Sequence, residues 1–244
     1  MRVVIATIAR PEGRTGVHTH FRTLLRYLRE RGEEVTLVTP LSRSKLAAKL
    51  VFGARKVLGR LGPSVNVWWY ERWHYAFLER ALKRELADGV PAVVYAQSPL
   101  AALAALRSRR GPQQTVVMAV HFNMSQAEEW ATQVGLPRGG RVYRSIKRRE
   151  AEVLPAVDGL VYVSEFVREA VASAIPAAEG VRSAVMPNFV SPTSEDDLPA
   201  FMGDLANVGT LEPRKNQAFL LQMLAQARDM GRTYSLMLIG DGPD

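Results

Sequence analysis

The chain opens on a short apolar run, residues 2–8, of the kind that is buried on both faces in a parallel sheet. A loop carrying Pro11, Gly13 and Gly16 follows, and from Val17 the apolar positions change to helical spacing. Phe21, Leu24, Leu25 and Leu28 fall on one face of that helix, which Gly32 terminates. Glu34 to Thr39 reads as a second strand, stopped by Pro40. The order predicts a parallel βαβ unit.

The alternation returns further along. Strands are expected at Ala92–Ala96, Thr115–Val120, Gly159–Val163 and Ser183–Met186. Helical patterns over Pro99–Ser108, 125–134, 141–154 and Phe166–Ala174 separate them. The interval 41–75 is less regular. Lys45–Leu61 has helical spacing with a basic opposite face, and no acidic residue occurs from Val35 to Tyr70. An aromatic cluster, Trp68, Trp69, Tyr70, Trp73 and Tyr75, precedes a helix running to about Ala87.

Ser191–Gly203, rich in proline, serine and acids, reads as a linker. Beyond it come a strand at Leu205–Val208, the turn Gly209–Asn216, a helix from Gln217 and a strand at Ser235–Ile239. The pattern therefore predicts an α/β protein. Residues 1–190 form a complete doubly wound, Rossmann-like domain, 191–203 a linker, and 204–244 the first βαβ unit of a second Rossmann-like domain. That unit alone leaves a parallel strand edge and an apolar helix face uncovered.

Composition narrows the chemistry. The 244 residues contain no cysteine, which excludes disulfides, thiol nucleophiles and cysteine-bound zinc. A net charge of +8 points to acidic partners: nucleotides, anionic lipids or nucleic acid. The opening apolar run is too short for a signal-peptide core, and the longest uncharged run, Val90–Leu106, is split by Gln97-Ser98-Pro99. A cytoplasmic protein is expected, with the inner face of the membrane as a second placement. The cations of Lys45–Arg60 and of Arg138–Arg149 leave two readings open, contact with an anionic membrane or solvated helix faces. Nothing like a nucleic-acid reading helix or stacking sheet is recognisable, so no nucleic-acid partner is expected.

The loops exclude several α/β activities. Gly13 and Gly16 lack the compact dinucleotide spacing, and the second strand ends in Thr39-Pro40 where an acid would hold a ribose. No P-loop, G-x-S-x-G elbow or H-E-x-x-H helix is present. His18 and His20, with His121 as a third candidate, could be proposed as metal ligands, but two residues apart at a helix start the first two face different directions, so no metal site is expected. The turn Gly209-Thr210-Leu211-Glu212-Pro213-Arg214-Lys215-Asn216 is different. A strand, a glycine turn, two adjacent cations and a helix start make either an anion site, with a diphosphate as its ligand, or a solvated basic turn.

Gly16-Val17-His18-Thr19-His20, with the helix and strand after it, resembles the N-terminal signature of GT-B glycosyltransferases. Within these it is similar to the retaining, nucleotide-sugar-dependent enzymes of family 4. Val120-His121-Phe122, Val163-Ser164-Glu165, Met186-Pro187-Asn188, the Gly209 turn and Gly240-Asp241-Gly242-Pro243 follow in the family's order. The resemblance implies two Rossmann-like domains facing across a cleft, the acceptor mainly on the first and the nucleotide sugar mainly on the second. It implies that His121 lies by the transferred sugar and acceptor, and that Gly16, Gly209, Arg214 and Lys215 hold the donor diphosphate. His18, His20, Ser164 and Asn188 are implied in the acceptor or loop region. A histidine at a strand end satisfied by backbone is the other reading of His121. The implied donor is a nucleotide-diphosphate sugar, with no metal and no other cofactor, and the acceptor is a glycan or lipid-linked sugar. The implied activity is retaining sugar transfer in polysaccharide or glycoconjugate biosynthesis.

Thr210 stands where many relatives carry arginine, with Arg214 nearby. The family's paired glutamates, E-x7-E, fall beyond Asp244. The expectation is a C-terminally incomplete chain, inert alone and active in the full-length protein. A non-catalytic GT-B-like module that binds glycan or membrane is the alternative.

Overall fold

The structure is a computed structural model that describes residues 1–9, 13, 16–42, 51, 53–55, 58–122, 125–189, 203–211 and 215–242. Most of the expected Lys45–Leu61 helix, positions 191–202 of the expected linker, and Arg214 lie outside the described residues. The contact pattern divides the chain into unit 1, Met1–Ser191, and unit 2, Pro192–Asp244.

Unit 1 is built on six parallel strands: β1 (Arg2–Ala6), β2 (Glu34–Val38), β3 (Ala92–Ala96), β4 (Gln114–Val120), β5 (Gly159–Tyr162) and β6 (Ser183–Val185). Their order is β2-β1-β3-β4-β5-β6. The order reverses between β1 and β3, which is where open α/β sheets bind ligands, beyond the carboxyl ends of the strands. The connecting helices with described bounds are α1 (Gly16–Glu30), α2 (Pro63–Glu85), α3 (Pro99–Ser108), α4 (Gln126–Val134), α5 (Arg141–Val153) and α6 (Glu165–Ala174).

Strand periodicity divides the core into two layers. Val3 and Ile5 pack with Phe21 of α1, joined by Leu24, Leu25 and Leu28, as the apolar spacing predicts. Val4 and Ala6 turn to the opposite layer with Leu78, Leu82 and Leu86 from α2 and its end, and with the alanines of α3. Leu78, Leu82 and Leu86 are fully buried, each worth about 1.5–3 kcal/mol in apolar transfer. The alanine-rich α3 suits its place, since six of its residues at 0–2% exposure leave no room for larger side chains.

One boundary differs from the sequence pattern. The aromatic cluster is not an irregular stretch ahead of a helix but part of α2, which starts at Pro63 after Gly62 at φ 117°. Gly-Pro is a start signal that aromatic density obscured. Trp69, Trp73 and Phe77 then follow one another at helical spacing, with ring centroids 5.5 and 6.1 Å apart.

Unit 2 pairs β7 (Leu205–Val208) with β8 (Leu236–Ile239) in parallel, linked through α7 (Gln217–Asp229). None of α7 is buried, and Phe219, Leu221 and Met223 are exposed, as a single βαβ layer requires. Among the described residues, no helix is long and apolar enough to cross a membrane.

Candidate functional site

The register of the sheet assembles the site. Ile5 pairs with Tyr95, and Tyr95 with Val117, so these side chains share one face of the sheet. Continuing in steps of two, that face carries Gln97 just past β3 and His121 just past β4. It is the face covered by α1. His20, on the second turn of α1 and 1% exposed, comes down onto it at the switch between β1 and β3.

The Tyr95 hydroxyl lies 3.0 Å from His20 Nε2. The His20 and His121 rings meet edge to face at a centroid distance of 4.8 Å and an angle of 78°. His121 Nε2 is 2.8 Å from Gln97 Oε1. With the amide oxygen as acceptor, Nε2 carries the proton and Nδ1 of the neutral ring keeps its lone pair. Backbone pairing fixes the frame, since Gln97 N–H donates to Ala6 O at 2.9 Å and joins β3 to β1 beyond their last ladder pair.

Burial governs the electrostatics. Desolvation, and secondarily the His20 ring, push the His121 pKa down to about 4. His20 is also lowered by burial, opposed by the Asn188 side chain, although no hydrogen bond of normal geometry reaches its Nδ1. Desolvation raises Tyr95 to about 12. At neutral pH the cluster is thus an uncharged acceptor and donor set, suited to taking or orienting a hydroxyl proton. Gln97 Nε2 is buried without a hydrogen-bond partner, which costs about 1–3 kcal/mol and marks a donor that an oxygen-rich ligand can satisfy.

Beside it, a cavity of about 400 Å³ opens at the carboxyl ends of β1 and β2. Its lining includes Gly13, His18, Arg55, Tyr70 and His74. Tyr70 stacks on His74 with centroids 3.7 Å apart, and Arg55 lies over the Tyr70 ring at 4.5 Å. A Cβ on Gly13 would come within 2.0 Å of the His18 ring, so a side chain there would displace that ring from its place against the loop.

The residues picked out by sequence are distributed as follows. His20, His121 and the Pro187-Asn188-Phe189 segment come together, Phe189 lying 4.9 Å from the His20 ring. His18 turns instead into the neighbouring cavity, in keeping with its two-residue offset on the helix. Gly16 begins α1 with open space where a side chain would be. Ser164 caps α6, its hydroxyl accepting from Val167 N–H at 3.2 Å. Among the described residues no group of three histidines or acids could hold a metal ion. Tyr95 and Gln97 were missed; their parity with His121 on adjacent strands was the available signal.

In unit 2 the two glycine motifs interlock. Gly209 N–H donates to Ile239 O at 2.9 Å, and Leu211 N–H to Asp241 O at 3.2 Å. A Cβ at Gly240 would lie 1.8 Å from the Gly209 carbonyl oxygen, so the close approach excludes any side chain there. The Gly209 amide is therefore already committed. Among the described residues, further donors are the start of α7, which has no side-chain cap, and Lys215, whose Cε is 3.4 Å from the position of a Cβ on Gly209.

Residues 14–194 match the family model of Glycosyltransferase Family 4. No curated protein sequence matches the chain. Among solved structures, sucrose-phosphate synthase from Thermosynechococcus elongatus is similar over 98% of this chain and 70% of its own, at 13% identity and a TM-score of 0.54. HepE of Anabaena, solved in complex with UDP and glucose, is similar over 100% of this chain and 62% of its own, with 16% identity and a TM-score of 0.49. TarM of S. aureus, solved with Fondaparinux, alpha-GlcNAc-glycerol and UDP, is similar over 70% of this chain and 32% of its own, with 12% identity and a TM-score of 0.47. The chain thus spans about a third of the length of TarM and about three fifths of HepE. At such identities the likeness concerns the fold, an α/β architecture of GT-B type. With the family match taking in most of the sequence, including the strands and helices that carry His20 and His121, the chain belongs to Glycosyltransferase Family 4.

Proposed function

We propose that this chain supplies the acceptor-side domain and the first part of the donor domain of a retaining glycosyltransferase. The enzyme moves a sugar from a nucleotide-diphosphate sugar to a glycan or lipid-linked acceptor. The observation that carries the reading is the uncharged His20–His121 cluster at the topological switch, next to the 400 Å³ cavity and with an unpartnered Gln97 amide facing the same cluster. His121 takes the position beside the transferred sugar. Its neutral ring offers a hydrogen bond without adding a charge that would compete with the departing diphosphate. His18 and the cavity around it receive the acceptor.

Gly16, Gly209, Arg214 and Lys215 are assigned to the donor diphosphate. Negative charge builds on that group as the glycosidic bond breaks, and cations stabilise it. The bond from the anomeric carbon to the diphosphate oxygen breaks while one from the acceptor hydroxyl oxygen forms on the same face. The hydroxyl proton leaves to the departing phosphate. A metal is not needed for this charge balance. Contact with an anionic membrane through the basic segments belongs to the same proposal, for a lipid-linked acceptor.

The test is thermal-shift screening of the full-length natural protein against UDP, GDP, ADP and their sugars, followed by product analysis. One nucleoside diphosphate is expected to raise the melting temperature. His121→Ala is expected to keep that shift and lose about a hundredfold or more in transfer. Absence of any nucleotide stabilisation, or transfer by His121→Ala at the wild-type rate, overturns the assignment.

A further inference from the structure

Away from the sheet edge, α2, α3 and α5 enclose a second recess of about 220 Å³. Each helix presents a single face to it: Trp68, Arg72 and Tyr75 at spacings of four and three on α2, Arg107 on α3, and Arg149 on α5. The recess takes one member from each of two features that the transfer chemistry leaves unused, Trp68 from the tryptophan cluster and Arg149 from the arginine cluster.

The charges do not cancel. Arg149 is met by Glu71 at 2.6 Å, both side chains being largely buried. Arg107 donates to the Tyr75 hydroxyl at 3.2 Å, and burial keeps that phenol's pKa raised, so it stays neutral. Arg72 lies 6.0 Å from the Trp73 ring. Glu79, which neighbours the Tyr75 hydroxyl, is paired with Lys83 at 3.0 Å. Among the described residues neither Arg72 nor Arg107 forms an ion pair. Arg72 and Arg107 therefore line the recess with guanidinium donors outside any ion pair, and guanidinium forks match carboxylate and phosphate oxygens.

The shape limits the ligand. Leu100 on the floor is 2% exposed, while Trp68 at the rim is 52% exposed. The apolar floor at Leu100 is recessed and Trp68 is the exposed apolar side chain at its rim, unlike the continuous apolar face that inserts into a bilayer. The volume lies below the roughly 300–1,000 Å³ of drug-sized pockets, which suits a single ring. A half-exposed indole offers a flat face for the C–H side of a pyranose.

We propose that this recess binds an acidic sugar unit, a hexuronate or sugar phosphate within a glycan chain. Arg72 and Arg107 hold its anionic group, and Trp68 stacks on its ring. The site is separate from the His20–His121 cluster and gives the protein a second hold on a polyanionic glycan. Arg107 is kept in position by Tyr75, and the Glu71–Arg149 pair fixes α2 against α5.

Titration of tri-galacturonate and maltotriose into the 244-residue chain, read by amide and indole NMR shifts, tests this without reference to sugar transfer. Tri-galacturonate is expected to shift the Trp68 indole and the neighbouring α2 and α3 amides, and to bind about tenfold more tightly than maltotriose. Combining Arg72→Ser with Arg107→Ser is expected to weaken it about tenfold, and raising NaCl from about 50 to about 500 mM to weaken it further. Trp68→Ala should lose about fivefold, whereas Arg182→Ser, an exposed arginine elsewhere, should change nothing. Trp68→Phe, which keeps a stacking face, guards against a folding defect in the alanine variant.

Equal binding of maltotriose, an equal loss in Arg182→Ser, or unchanged binding in the double arginine variant overturns the proposal. So does binding of UMP in preference to tri-galacturonate. Arginine-dependent binding to phosphatidylglycerol vesicles with no response to tri-galacturonate also overturns it, and makes the surface a membrane contact.

Discussion

Acid should weaken unit 1 through His121, by an amount that the burial of its ring sets. Its folded pKa is about 4, against about 6.5 for a histidine in an unfolded chain. Because the folded value is the lower one, the unfolded chain takes up the proton first as pH falls. The stabilisation is complete above about pH 6.5 and is lost as pH drops toward 4. Linkage with these two values gives a loss of about 2.5 kcal/mol between about pH 7.5 and about pH 4.5.

Other groups titrate in the same window. His20 is lowered by burial and acts in the same direction. Glu71 and Glu150 are raised by burial, bind protons more readily when folded, and act in the opposite direction. The informative quantity is therefore the difference between wild type and His121→Gln, which keeps an amide beside Gln97 but cannot titrate. Urea unfolding followed by tryptophan fluorescence reads it cleanly. All four tryptophans, at 68, 69, 73 and 130, belong to unit 1. The gap between the two proteins should shrink by about 2.5 kcal/mol from the higher to the lower pH. A gap constant to within about 0.5 kcal/mol refutes the claim that His121 is held neutral by burial.

Two further outcomes follow from packing. Glu71→Ala strands the Arg149 guanidinium, whose side chain is 13% exposed, and should cost about 3–5 kcal/mol in urea unfolding. Glu71→Leu combined with Arg149→Met should be nearly neutral, and equal losses in both variants contradict the ion-pair account. In unit 2, Gly240→Ala forces a Cβ into the Gly209 carbonyl, for an expected cost of about 2–4 kcal/mol. Hydrogen exchange should speed up in β7 and β8 while the unit 1 fluorescence transition stays put; unchanged protection of those strands disproves the close approach.

The sequence alone determined the order and type of the elements, because local periodicity carries that information. Short apolar runs bounded by Pro40 or Gly32 became strands and helices within a residue or two of the expected limits. Phe21, Leu24, Leu25 and Leu28 share a face wherever a helix forms, and that face must be buried. The Gly-Pro start of α2 was equally legible at Gly62-Pro63 but was outweighed by the aromatic residues after it. The ordered motifs likewise drew attention to His20 and His121, though not to each other.

Only the tertiary structure decided which of these side chains meet. His20, Tyr95, Gln97 and His121 come from three elements separated by up to a hundred residues. Parallel register and the reversal of strand order between β1 and β3 bring them to one sheet edge. The shift of His121 to about 4 depends on desolvation by those neighbours, and no local pattern encodes that. The same holds for the second recess. Helical spacing shows that Trp68, Arg72 and Tyr75 share a face, but the approach of Arg107 and Arg149 is set by how three helices pack on the sheet. Periodicity is a property of neighbours along the chain; charge balance and solvent exclusion are properties of neighbours in space.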